Sequence, residues 1–221
     1  MSKTKPMIFN GEMVRAILEE RKTQTRRVIK PQIDWLMKYP KSVNVEKWVN
    51  HQNNTWWGMP NHIEDSDPSP AHFCIVKCPY GRPGDQLWVR ETFQYLNFFK
   101  YNGIGYRADG GLKEFQKDFI QFPSSLVDID DLVYNDTPWR PSIYMPRWAS
   151  RIDLEITNVR VERVQGIPID NITDEGVGIP DWDTADVLLA KWIKLWDSIN
   201  AKRGYSWDVN PWVWVINFRK V

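Results

Sequence analysis

Only two stretches of the chain carry a helical period, one near each end, and segments of strand character scatter around them with no βαβ repeat and no Gly-rich phosphate loop. This pattern predicts an α+β domain built as a small β-barrel with flanking helices. In the first helix Asn10 is the N-cap, Met13, Val14, Ile17 and Leu18 share one face, and the end falls near Arg21. The second starts at Thr184 and carries Val187, Leu188, Trp192, Leu195, Trp196 and Ile199 as its apolar stripe. It closes on Lys202-Arg203-Gly204, basic residues followed by a C′ glycine. Strands are expected at Met7 to Phe9, Thr23 to Ile29, Phe73 to Lys77, Gln86 to Phe93, Ile104 to Arg107 and Arg151 to Val164. The nearly all-apolar Pro211 to Phe218 ends the set. Residues 34–72 hold Trp35, Trp48, Trp56 and Trp57 without a period of either kind and read as an insertion; a second is expected at about 94–138.

A chain of 221 residues suits a single domain. No apolar run approaches the ~20 residues that cross a bilayer, and the basic start lacks the apolar stretch of a signal peptide, so a soluble cytoplasmic protein is expected. Cys74 and Cys78 read as free thiols. His72, Cys74 and Cys78 fit zinc spacing poorly, and all three histidines fall between His51 and His72, so neither a metal, a cofactor nor a Ser-His-Asp triad is expected. A net charge of +1 argues against indiscriminate phosphate binding, so any nucleic-acid contact must be local. The 13 tryptophans suit core packing, with base stacking as the alternative use for some.

The densest functional signal is Arg21-Lys22-Thr23-Gln24-Thr25-Arg26-Arg27, with Lys30 beyond: five cations and no acid at a helix-to-strand turn. Such a turn can hold a phosphate or the polar edge of a nucleoside, or simply be a solvated basic turn at a helix C-terminus. Thr25 becomes a nucleophile only beside a base, and Lys22 is a base only with a lowered pKa. Arg21, Arg26 and Arg27 push that pKa down while the helix C-terminus pushes it up, which leaves the sign open. Asp153, Glu155 and Glu162 read as solvated surface on the long strand.

Lys22-Thr23-Gln24-Thr25-Arg26-Arg27 after an amphipathic helix resembles the K-T-x-T-x-R signature of the ASCH family, whose domains are similar to the PUA barrel of RNA-binding proteins. Pro83-Gly84-Asp85-Gln86-Leu87-Trp88-Val89 resembles that family's G-D-x-L-x-V lead into a strand. Trp139 to Arg151 and Trp212 to Phe218 resemble its longer phage- and prophage-encoded members. A small bacterial member deacylates N4-acetylcytidine with a lysine, a threonine and a glutamate, which by motif fall on Lys22, Thr25 and Glu175. Where the family usually has glycine two places before the lysine, this chain has Glu20. The resemblance implies amide hydrolysis on a modified cytidine nucleoside or RNA. The alternative it implies is a non-catalytic RNA or modified-base binding module, with Arg21, Arg26, Arg27, Trp139, Arg140 and Trp148 as contact residues. A protein accessory to phage, with a protein partner, is a third reading.

Overall fold

Residues 3–30, 32, 49–51, 56–60, 73–97, 101–116, 138–178 and 182–221 are described by a computed structural model. The fold is mixed α and β. The main sheet is formed by β1 (Thr4–Ile8), β2 (Gln24–Val28), β6 (Gln86–Arg90), β10 (Asp153–Arg163) and β11 (Trp212–Lys220), in the order β1-β6-β10-β11-β2. The β1–β6 pair is parallel and the others are antiparallel. Two smaller antiparallel sheets comprise β3 (Val49–His51), β4 (Trp56–Pro60) and β5 (Phe73–Lys77), and β7 (Phe93–Asn97), β8 (Tyr101–Tyr106) and β9 (Leu112–Gln116). The helices among the described residues are α1 (Gly11–Leu18), α2 (Ile169–Asp174) and α3 (Ala185–Asn200). No described helix is long and apolar enough to cross a membrane.

β11 organises the core because both of its faces are buried. Trp212, Trp214, Ile216 and Phe218 enter one apolar cluster with Phe9, Val14 and Ile17, while Val213 and Val215 enter a second with Ile172, Trp192 and Trp196. A strand apolar at nearly every position is stable only when sheet neighbours and helices cover it on both sides.

The expected barrel is not closed by backbone pairing. β1 and β2 are the two sheet edges and do not pair with each other. The Arg27 side chain reaches from β2 to the end of β1, where its Nη2 donates to the Ile8 carbonyl at 2.7 Å, and its guanidinium lies 5.2 Å from the centre of the Phe9 ring. A side chain thus bridges where a ladder was expected. The insertions differ too. Residues 49–51 and 56–60 form strands where no period was expected, and the strand expected at Ile104 to Arg107 overlaps β8, the middle strand of the β7-β8-β9 meander; 117–137 lies outside the described residues. His62 and His72, and the side chains of His51 and Cys74, also lie outside that description.

Asn10 caps α1 as expected, accepting from the Met13 N–H at 2.8 Å. At the other end the Arg21 N–H bonds to Ala16 O and the Glu20 N–H to Ile17 O, a Schellman closure with Glu20 at its left-handed position, φ 61°. A side chain there costs about 1 kcal/mol relative to glycine. Glu20→Gly is therefore expected to raise the melting temperature by a few degrees, read by circular dichroism. Thr184 departs from expectation: it begins α3 but its side chain makes no cap bond.

Candidate active site

β2 is a sheet edge, and its alternation divides the basic motif between two faces. Thr25 and Arg27 lie opposite Ile216 and Trp214, whereas Arg26 and Val28 lie opposite Val215 and Val213. A cavity of about 400 Å³ is lined by residues from both faces of β2 and so runs along its edge, with Glu175 and α3 completing the wall.

Glu175 is the C-cap of α2 and is placed by backbone contacts. The Thr23 N–H donates to Asp174 O at 2.9 Å, Gln24 Nε2 to Asn171 O at 3.0 Å, and Lys22 and Glu175 form an antiparallel bridge. Gly176 lets the segments come this close. Its φ is +79°, and a Cβ there would lie 2.6 Å from the Ala16 Cβ and 3.1 Å from the Lys22 Cβ.

Lys22 Nζ donates to Glu175 Oε2 at 2.8 Å and to the Glu175 carbonyl at 2.7 Å. Arg26 donates to Glu175 Oε1 at 3.1 Å and to Glu162 Oε2 at 3.0 Å. The Lys22 and Arg26 side chains are wholly inaccessible and that of Glu175 is 1% exposed, so two buried cations depend on one buried carboxylate. Burial pushes the Lys22 ammonium below its ordinary value; Glu175 opposes this, and Arg27 and Arg26 reinforce it. The direction that the sequence left open is downward. Burial lowers Arg27 as well, but a guanidinium keeps its charge at neutral pH.

Lys22, Thr25, Arg26, Arg27 and Glu175 therefore come together, although 153 positions separate Lys22 from Glu175. Thr25 and Glu175 line the cavity directly, while Lys22 sits behind Glu175 and is not among the lining residues. The other expected contacts lie elsewhere. Arg21 turns to solvent and pairs with Glu19. Arg140 exchanges backbone bonds with Phe93 and lies over Tyr95, Trp148 stacks on Tyr95, and Trp139 is exposed; none of the three lines the cavity. Glu162, expected to be solvated, faces the buried Arg26 instead, because its side chain shares a face of the sheet with Val213 and Val28.

Tyr80, Trp192, Trp196 and Arg203 also line the cavity, and sequence reasoning did not assign them to it. In sequence, the tryptophans are indistinguishable from the rest of an apolar stripe. The structure separates Trp192: its indole Nε1 is buried without a hydrogen-bond partner, as are Nε of Arg26 and of Arg27. Three lining residues thus carry unanswered donors. Among the described residues no group of three or more His, Cys, Asp or Glu is placed to hold a metal ion. Cys78 is a buried free thiol, and burial pushes its pKa up, away from nucleophilic use.

Compared with protein-family models, curated proteins and solved structures, the chain matches none.

Proposed function

We propose that this chain is an ASCH-type amidohydrolase, with a fold related to the PUA barrel, that removes the acyl group from N4-acylated cytidine as a nucleoside or within RNA. One observation carries the reading: Thr25 and Glu175 line one cavity, and the Lys22 ammonium lies 2.8 Å from that same carboxylate. The turn gives further support. The position at which the ASCH family usually carries glycine is the one where Glu20 takes φ 61°.

In this mechanism the Lys22 amine, made a weaker base by burial, accepts the Thr25 hydroxyl proton as Oγ1 attacks the acyl carbon. Lys22 returns that proton to the Glu175 carboxylate, and Glu175 delivers it to N4 as the C–N bond breaks, leaving the acyl group on Thr25. Water then cleaves this ester, which releases the carboxylic acid and restores the hydroxyl. Arg26 and Arg27 supply positive charge beside the tetrahedral oxyanion.

Chromatography of cytidine released from N4-acetylcytidine tests this. Thr25→Val is expected to abolish release, a loss of at least about a thousandfold, with an unchanged melting profile. The wild-type rate is expected to rise with pH and level off below the usual lysine pKa. Unimpaired release by the valine variant would end the proposal.

The second reading is a binder of modified bases without turnover. It is favoured by the engagement of Lys22 Nζ with two acceptors of Glu175, behind the cavity wall rather than in it. That reading expects saturable binding of N4-acetylcytidine with no product.

A further inference from the structure

We infer that the cavity takes its ligand as a phosphomonoester, a nucleoside monophosphate, rather than as a neutral nucleoside. This rests on reading the cavity as a nucleoside site. Arg26, Arg27, Lys30 and Arg203 all line the cavity, and Glu175 is its one acidic lining residue among those described. Glu175 is already engaged by Lys22 and Arg26, and Arg26 draws on Glu162 as well.

The other three cations have no carboxylate in direct contact, although Glu175 acts on Arg27 from a distance. Arg27 donates to a carbonyl, Lys30 lies 5.4 Å from the centre of the Tyr205 ring, and neither they nor Arg203 form an ion pair with a described carboxylate. In a chain of net charge +1, three cations without an ion pair around one cavity are a concentrated local excess. Burial is the main influence pushing the Arg27 pKa down; Tyr80 and Glu175 oppose it, and Arg203 adds a smaller downward push, the mark of repulsion between the two guanidinium groups. A dianion between them relieves that repulsion, and guanidinium groups match phosphate oxygens in geometry.

Size and the rest of the wall favour one nucleotide over a longer strand. About 400 Å³ lies in the range of small-molecule sites, and the half-buried Tyr80 offers aromatic surface to a base, with the buried Trp192 and Trp196 as part of the same wall. The buried Nε donors of Arg26 and Arg27 and the Trp192 indole N–H are acceptor-seeking groups in the same wall.

Isothermal titration of the full chain with cytidine, cytidine 5′-monophosphate and ribose 5-phosphate, at low and high salt, tests the inference. Cytidine 5′-monophosphate is expected to bind at least about tenfold more tightly than cytidine. That advantage is expected to shrink in high salt, below the second phosphate pKa of about 6, and in Arg203→Gln, whose exposed position spares the core. Equal affinity for cytidine and its monophosphate would overturn the inference while leaving the proposed function standing. Ribose 5-phosphate binding as tightly as the nucleotide, with no response to cytidine, would uphold the anion site and remove the nucleoside reading. A single-stranded oligoribonucleotide that binds where the monophosphate does not would overturn the choice of a mononucleotide.

Discussion

Glu175→Ala is expected to lower stability by about 3–5 kcal/mol, because it strands the buried Lys22 ammonium and leaves the buried Arg26 guanidinium with Glu162 alone. For a chain of this size that corresponds to a fall in melting temperature of about 6–20 °C. Lys22→Met should cost clearly less, since Glu175 keeps Arg26 and an apolar side chain replaces a buried charge. The loss in Glu175→Ala should also shrink as pH rises. Without Glu175, the folded-state pKa of Lys22 drops further below its unfolded value of about 10.4, so the unfolded chain binds more protons between the two and stability climbs with pH. Thermal melts at neutral and mildly alkaline pH check both points; equal losses in the two variants would contradict the ion-cluster account.

Trp214→Ala is expected to cost a further-ranging 3–5 kcal/mol, about the value for removing a large buried aromatic side chain. Trp214 is 1% exposed in the interior strand β11, facing the apolar cluster that holds Phe9, Ile17 and Leu87. Its neighbours cannot collapse into the space without moving β10 or β2, which pair with β11 on either side. Trp182 is the comparison. It is 85% exposed, and Trp182→Ala should change stability by no more than about 0.5 kcal/mol. Urea denaturation of both variants measures the contrast.

What the sequence revealed follows from how local each signal is. Asn10 and the Met13, Val14, Ile17, Leu18 face defined α1, and the alternation of Ile152, Leu154 and Ile156 with polar residues announced β10, because both patterns are set within a few residues. The apolar run at Trp212 marked β11, but only the structure shows that it is an interior strand buried on both faces. α2 escaped notice because six residues are too few to display a helical period. That β1 and β2 stay unpaired, leaving the expected barrel open, is a long-range property with no local trace.

The site was legible to a similar extent. Lys22, Thr25, Arg26 and Arg27 were marked by the density of cations, and Glu175 only through the family resemblance. Their convergence depends on Gly176 and on α2 docking against the start of β2, which composition cannot express. Trp139, Arg140 and Trp148 looked equally suitable in sequence, since an aromatic beside an arginine suggests stacking on a base. The chain instead spends two of them on Tyr95.

The most direct measurement is peptide mapping by mass spectrometry of wild-type protein mixed with N4-acetylcytidine and quenched in acid within the first turnover. The account predicts one acetyl group, located on the peptide containing Thr25 and absent from Thr25→Val. Cytidine released with no acetyl group ever found on Thr25, or an acetyl group on another residue, would contradict it.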